Sequence, residues 1–104
     1  SDFFNRHEPD GEPIPVAMWE AYREGYDDYR YLYTLEQLVR EAKQSNRAKG
    51  RDAAAKAERE LQAVWNSIHV QPKYKDQNLW SPAEFDLYRW KIAQEIIAVQ
   101  DAMK

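Results

Sequence analysis

The stretch that decides the fold covers residues 19–36 and reads Trp-Glu-Ala-Tyr-Arg-Glu-Gly-Tyr-Asp-Asp-Tyr-Arg-Tyr-Leu-Tyr-Thr-Leu-Glu. Its large aromatic residues recur at steps of three and four, the spacing that aligns side chains along one side of an α-helix. They are Trp19, Tyr22, Tyr26, Tyr29 and Tyr33. Further apolar residues widen this stripe around the circumference, namely Tyr31, Leu32, Leu35, Leu38 and Val39. A helix that is apolar on several sides is normally buried on several sides, so we expect part of it to contact a further partner.

Three amphipathic segments predict an all-α fold. They place the helices at residues 16–46, 52–69 and 82–103, with a turn at 45–50 between the first two. Helices of these lengths favour a three-helix up-down-up bundle with one overlong member, the first. Sustained alternation of apolar and polar residues, which would indicate strands, is absent.

The third helix has the clearest start signal in the chain. Ser81 is placed to cap it, Pro82 fits the first helical position and Glu84 completes a capping box. Trp80 and Phe85 stand where a hydrophobic staple would place them.

The residues before the first helix form a segment of a different kind. Three of the five prolines, Pro9, Pro13 and Pro15, lie in residues 1–15, which predicts an extended leader. Phe3, Phe4 and Ile14 suggest that the leader is anchored to the helices.

Gly25 interrupts the aromatic stretch. Inside a helix a glycine costs about 1 kcal/mol relative to alanine, so we expect a compensation, most simply the close approach of another backbone.

Composition bounds the classes of function. A chain of 104 residues is one domain or a piece of one. The net charge of −3 argues against a nucleic-acid partner. The basic residues within 43–56 surround the predicted turn and are most simply explained as side chains exposed to solvent. The chain has no cysteine, and no stretch is apolar for the length of a membrane span.

Candidate chemistry is sparse. Glu20 and Glu24 lie one helical turn apart, as do Glu24 and Asp28, so either pair could meet the distance required of two catalytic carboxylates. Any acidic helix meets this distance criterion, and salt bridging is the simpler interpretation. His7 and His69 belong to no metal-binding spacing. We therefore predict no catalytic, metal or cofactor residues in this chain.

The aromatic residues offer a different kind of function. Sugar rings stack on exposed Trp and Tyr, so carbohydrate binding is one interpretation. The competing one is packing, because Trp19, Trp65 and Trp90 lie on or near the apolar stripes of their helices. Large exposed aromatic patches more often mark a docking surface.

The run from Pro15 to Glu36 resembles the C-terminal region of large glycoside hydrolase-like proteins, once a family of unknown function related to barrel-type N-acetylgalactosaminidases. The pattern reads Pro-x-x-x-Trp-Glu-Ala-x-Arg-Glu-Gly-x-x-Asp-Tyr-x-Tyr-Leu-x-x-Leu. The matching residues are Pro15, Trp19, Glu20, Ala21, Arg23, Glu24, Gly25, Asp28, Tyr29, Tyr31, Leu32 and Leu35. Val16 and Tyr22 depart from the usual residues of the pattern.

The resemblance implies that this helix packs against a catalytic (β/α)₈-type barrel lying upstream in the same polypeptide, whose catalytic carboxylates are not in this chain. Arg23, Glu24 and Asp28 would orient the helix on the barrel. The whole candidate docking surface is Trp19, Tyr22, Arg23, Glu24, Gly25, Tyr26, Asp28, Tyr29 and Tyr33. By the same resemblance the protein would be secreted, periplasmic or at the cell surface.

We therefore expect a fragment of a larger protein: a non-catalytic C-terminal helical domain that braces the barrel. The chain alone would be no enzyme, although its parent could be a glycoside hydrolase. A helical binding module for a glycan or a protein, using the aromatic face of the first helix, is the alternative. A helical adaptor that self-associates through the same face is the third interpretation.

Overall fold

The computed structural model describes residues 13–69 and 81–104. It has four helices there: α1 (Val16–Gly25), α2 (Arg30–Lys43), α3 (Ala48–His69) and α4 (Pro82–Ala102). No residue in these two ranges is in a strand, so the predicted all-α class is confirmed. Residues 1–12 of the predicted leader lie outside the described residues, as does Trp80 with its predicted staple.

The prediction of one long first helix over residues 16–46 is wrong, because the chain leaves helical geometry after Gly25. Tyr26 has an extended backbone, with φ −139° and ψ 140°. Two residues later, the Asp28 carboxylate accepts a hydrogen bond from the backbone N–H of Arg30 at 3.0 Å. This bond gives the first backbone N–H of α2 an acceptor from outside the helix, so α2 begins as a separate element at Arg30.

The break folds α1 back against α2. The indole N–H of Trp19 donates to Oε2 of Glu36 at 3.2 Å. In a continuous helix, residues 17 positions apart would be separated by about 25 Å along the axis. Contact between these side chains therefore requires the chain to reverse between them. Glu36 is completely buried, and its other carboxylate oxygen lies 3.9 Å from the Arg40 guanidinium.

The turn between α2 and α3 is shorter than predicted. Residues 44–47 make it, and α3 begins at Ala48 instead of residue 52. The Ser45 hydroxyl accepts a hydrogen bond from the Arg47 backbone N–H at 2.9 Å, which closes the turn early. Gly50 therefore lies inside the helix, where it faces the Met103 sulfur. The Met103 side chain packs where a Cβ atom of residue 50 would lie, so this position requires a residue as small as glycine.

The predicted start of α4 is confirmed. Ser81 Oγ accepts from the Glu84 N–H at 3.2 Å, and the Glu84 carboxylate accepts from the Ser81 N–H at 2.7 Å. Together with Pro82 at the first helical position, this is a complete capping box. The helix ends at Ala102, one residue before the predicted end.

The core lies where α2, α3 and α4 pack against one another in all three pairs. Arg47 donates to the carbonyl of Lys104, so the C-terminal end of α4 lies beside the α2–α3 turn. Lys91 reaches Glu60 farther along the same two helices, so α3 and α4 are antiparallel. The buried apolar side chains include Leu32, Leu35, Val39, Ala54, Ala57, Leu61, Tyr88, Ile92 and Val99. α1 covers this core near the N-terminal half of α4, and Ile14 of the predicted leader is buried with it.

Candidate functional site

The structure divides the predicted docking surface into a buried and an exposed part. Trp19 and Tyr22 are buried in the core, and Tyr26 is half-buried. The remaining residues are exposed: Arg23, Glu24, Gly25, Asp28, Tyr29 and Tyr33. The aromatic stretch therefore serves the internal core at its start and presents tyrosines to solvent only after the helix break.

The tyrosines at the break form a cluster in place of the predicted stripe. The ring of Tyr22 lies 4.8 Å from that of Tyr26, 6.4 Å from that of Tyr29 and 6.3 Å from that of Tyr88, measured between centroids. Its hydroxyl donates to the backbone carbonyl of Asp28 at 3.1 Å. Burial raises the pKa of Tyr22 to about 12, so this hydroxyl keeps its proton. Tyr22 is thus the residue that connects α1, the break and α4.

The compensation for Gly25 is an aromatic ring of α4, where another backbone had been expected. A Cβ atom added at Gly25 would collide with the ring of Phe85, whose Cγ would be 2.8 Å away. The Phe85 ring in turn meets Tyr26 edge-on at 5.7 Å, and the Tyr26 hydroxyl donates to the Phe85 carbonyl at 2.8 Å. Gly25 is therefore required where α1 ends against α4.

Arg89 of α4 completes the cluster from outside. Its guanidinium carbon lies 5.3 Å from the centre of the Tyr26 ring and 5.1 Å from that of Tyr31. Both distances are within the range of cation–π attraction. A second arginine, Arg23, lies 5.9 Å from the Tyr29 ring. Neither contact was foreseen, because both depend on how the broken helix packs.

Arg89 lines two depressions of the surface, which also share Asp28 and Tyr31. The smaller has a volume of about 230 Å³ and lies at the break, lined by Tyr22, Gly25, Tyr26, Asp27, Asp28, Tyr31 and Arg89. The larger, about 490 Å³, lies between α2 and α4 and is lined by Asp28, Arg30, Tyr31, Thr34, Arg89 and Ile96. We call the larger one the α2–α4 cleft. It contains both charged and apolar side chains, as a small-molecule site requires.

Asp28 has a local partner. Its carboxylate accepts hydrogen bonds from Nε of Arg30 at 3.0 Å and from Nη2 at 2.7 Å. These bonds hold the pKa of Asp28 at about 2. The predicted trio of Arg23, Glu24 and Asp28 thus has a different arrangement, since Asp28 pairs with Arg30 and Arg23 faces Tyr29.

A second candidate surface lies on the side of α4 that faces away from the core. Leu87, Trp90 and Ile97 follow one another at helical spacing and are 44%, 57% and 59% exposed. The buried residues of the same helix, Tyr88 and Ile92 among them, occupy the opposite side. We call Leu87, Trp90 and Ile97 the outer face of α4. Sequence reasoning placed Trp90 with the core stripe and missed this surface, although apolar residues on both sides of α4 were a usable signal.

Charged side chains also meet between α3 and α4. Lys91 donates to Glu60 at 2.6 Å, and its ammonium lies 3.0 Å from the carboxylate of Glu95 and 3.0 Å from Gln94. Three acceptors satisfy the three donors of an ammonium. The hydrogen bond from Lys91 lowers the pKa of Glu60 to about 2, whereas burial raises the pKa of Glu95. Lys91 and Glu95 are almost enclosed, so this cluster serves to join two helices.

The carboxylates considered for catalysis are all exposed: Glu20, Glu24 and Asp28. Among the described residues, no three acidic, histidine or cysteine side chains are grouped as a metal site would need. None of the described helices combines the length and the apolar character needed to cross a bilayer. No protein-family model, curated protein or solved structure matches this chain.

Proposed function

We propose that this chain is a non-catalytic helical domain that braces a larger catalytic domain of a glycoside hydrolase-like protein. In this proposal α2, α3 and α4 form an up-down-up bundle, and α1 closes one side of it. The partner is a barrel that lies upstream in the same polypeptide. The observation that supports it is the outer face of α4, where large apolar side chains are exposed on the side opposite the buried core of the described residues.

Contact with another protein surface fits this face better than solvent does. Isolated exposed apolar residues are ordinary, but aligned ones mark interaction sites. Trp90 at the centre of the face has the large area typical of interface anchors. The resemblance of residues 15–36 to the C-terminal region of glycoside hydrolase-like proteins is the reason for proposing a catalytic barrel as the partner.

The proposal shifts the docking surface from the one expected from sequence. Trp19 and Tyr22 are buried in the core and cannot contact a partner, so α1 contributes to docking only through its exposed residues, such as Arg23. The outer face of α4 takes over the apolar part of the contact.

The test begins with the reading frame upstream of the codon for Ser1, which should encode alternating strands and helices. In that longer polypeptide, Trp90→Gln should lower the melting temperature measurably. In the 104-residue chain the same change should alter the free energy of unfolding by no more than about 0.5 kcal/mol, because the site is exposed. An upstream frame without a barrel, or equal effects in both proteins, would contradict the proposal.

The alternative function is a binding module for a glycan or a protein. The observation that favours it is the exposure of three tyrosines at the start of α2: Tyr29, Tyr31 and Tyr33. Titration with soluble glycans, followed by the ring resonances of these tyrosines, would separate the two functions. Saturable shifts at these rings would favour the binding module.

Self-association is a consequence of the proposal for the isolated chain. If the outer face of α4 has lost its partner, a second copy can cover it at high concentration. Sedimentation equilibrium should then show concentration-dependent association that Trp90→Glu abolishes. The control Tyr33→Glu tests the aromatic face and should leave the association unchanged.

A further inference from the structure

Arg89 is exposed, and its guanidinium packs against two tyrosine rings. Tyr26 and Tyr31 hold it at 5.3 Å and 5.1 Å from their ring centres. Its five N–H donors make no hydrogen bond or ion pair within residues 13–69 and 81–104. Contacts with ring faces leave the edge of the guanidinium plane open, and that edge carries the donors.

The donors of Arg89 border the α2–α4 cleft, whose volume is about 490 Å³. Small-molecule sites commonly have volumes of about 300–1,000 Å³ and combine apolar walls with a few fixed polar groups. Ile96 and the Tyr31 ring provide the apolar wall, and the Thr34 hydroxyl provides a further polar group.

Two cations line the cleft among the described residues, Arg30 and Arg89, and Arg89 is the one that makes no ion pair there. The Nε and Nη2 of Arg30 donate to the two carboxylate oxygens of Asp28 at 3.0 Å and 2.7 Å, so much of the charge of Arg30 is balanced locally. Asp28 in turn has its negative charge met by Arg30. An anion entering the cleft would therefore meet one guanidinium, that of Arg89, whose charge no carboxylate of the described residues pairs with.

We propose that the α2–α4 cleft binds a small organic carboxylate through Arg89. A planar carboxylate accepts two parallel hydrogen bonds from the edge of a guanidinium, which is the geometry that arginine offers here. The two tyrosines restrict the arginine before the ligand arrives, so less side-chain entropy is lost on binding. The body of the ligand lies against Ile96 and Tyr31. This inference is independent of the proposed docking function, because Arg89 and Trp90 lie on different sides of α4.

A monoanion fits the site better than a phosphate dianion. The side chains that line the cleft carry two positive charges, on Arg30 and Arg89, and one negative charge, on Asp28. One negative charge on the ligand balances this excess, whereas a second would lie unbalanced near Asp27 and Asp28, which line the adjoining smaller depression.

The experiment is a chemical-shift titration of the ¹⁵N-labelled chain at constant ionic strength. The probe is cyclohexanecarboxylate, and cyclohexanecarboxamide is its neutral counterpart of the same shape. We expect saturable shifts at Thr34, Arg89 and Ile96 with the carboxylate, and binding at least tenfold weaker with the carboxamide. Arg89→Gln should weaken carboxylate binding at least tenfold, and Arg89→Lys should also weaken it, because lysine lacks the planar fork.

A matched control separates a site from general attraction to positive charge. Arg59 is an exposed arginine of α3 that does not line the cleft, so Arg59→Gln should bind the probe as the unaltered chain does. Circular dichroism checks that every variant is folded. Equal shifts with the carboxamide, unchanged binding in Arg89→Gln, or equal losses in Arg59→Gln would overturn the proposal. Tighter binding of inorganic phosphate than of the carboxylate would overturn the assignment of the ligand class.

Discussion

At the scale of single residues, Gly25 and Phe85 form the tightest junction between α1 and α4. Gly25→Ala should destabilise the chain by about 1–3 kcal/mol, the usual cost of forcing a methyl group into filled space. A double-mutant cycle isolates the cause. In a Phe85→Ala background the space is open, so Gly25→Ala should be neutral or slightly stabilising, because alanine loses less backbone entropy than glycine.

Urea denaturation of the four proteins of this cycle gives the coupling free energy. If Gly25→Ala costs the same with and without the Phe85 ring, the glycine is required by its backbone and the ring contact is irrelevant.

Tyr22 is the second residue with a specific role. Its hydroxyl donates to the Asp28 carbonyl, inside the segment that separates α1 from α2. Tyr22→Phe removes only this hydroxyl and should cost about 1 kcal/mol of unfolding free energy, the typical net value of one hydrogen bond. Tyr33→Phe is the matched control, because Tyr33 is exposed on α2. Equal stabilities of the two variants would mean that the bond does not hold the break.

At the scale of elements, the break between α1 and α2 is the feature that sequence reasoning missed. The aromatic residues do follow a helical spacing across residues 19–36, and that regularity favoured one helix. The sequence also contains signals for a break. Gly25 is a residue that often ends a helix, and Asp28 can accept a hydrogen bond from the backbone N–H two residues later, at the start of a new helix. The broken arrangement is favoured because Trp19 and Tyr22 then reach the core on which α2 also packs. In one straight helix, the two ends of residues 19–36 would lie too far apart to contact the same core.

The charged cluster of Glu60, Lys91 and Glu95 between α3 and α4 predicts how the stability of the fold depends on pH. Burial alone would lower the pKa of Lys91, but its hydrogen bonds to Glu60 and Glu95 outweigh burial and raise it. The folded pKa of Glu60 is depressed to about 2, so its stabilising contribution is complete above about pH 4.5 and is lost as pH falls toward 2. The folded pKa of Glu95 is raised, so its ionisation weakens the fold as pH rises.

Lys91→Met removes the cation between these two carboxylates. At pH 7 this should cost about 3 kcal/mol, the low end of the range for breaking a buried ion pair, because Glu60 is partly exposed. At pH 4 the cost should be smaller, since one carboxyl can take up a proton in place of the lost cation. Urea denaturation at both pH values measures the difference.

Lys56→Met is the control for the charged cluster between α3 and α4. Lys56 also faces Glu60, at 3.7 Å, but it is well exposed, so its loss should cost less than about 1 kcal/mol at either pH. If Lys91→Met loses the same stability at pH 4 as at pH 7, neither carboxyl takes up a proton in place of the lost cation.

At the scale of the whole molecule, the sequence was sufficient for the helical class and for the start of α4. Ser81, Pro82 and Glu84 act within four residues, so their geometry is determined locally and could be read directly. The cluster around Arg89 could not be read, because Tyr26, Tyr31 and Arg89 come together only after the break and the packing of α4 are set. The outer face of α4 was missed for a related reason: apolar periodicity identifies a stripe but does not say which of two stripes the core takes.

The central claim is that the outer face of α4 docks against an upstream domain, and single-cysteine labelling tests it most directly. The chain has no cysteine of its own, so Ile97→Cys introduces one reactive thiol here, and peptide mapping locates the label in the longer polypeptide. Tyr33→Cys reports on the competing aromatic surface. We predict that Ile97→Cys reacts with a maleimide at least tenfold more slowly in the longer polypeptide than in the isolated chain, while Tyr33→Cys reacts at equal rates in both. Equal rates for Ile97→Cys, or protection of Tyr33→Cys alone, would contradict the account.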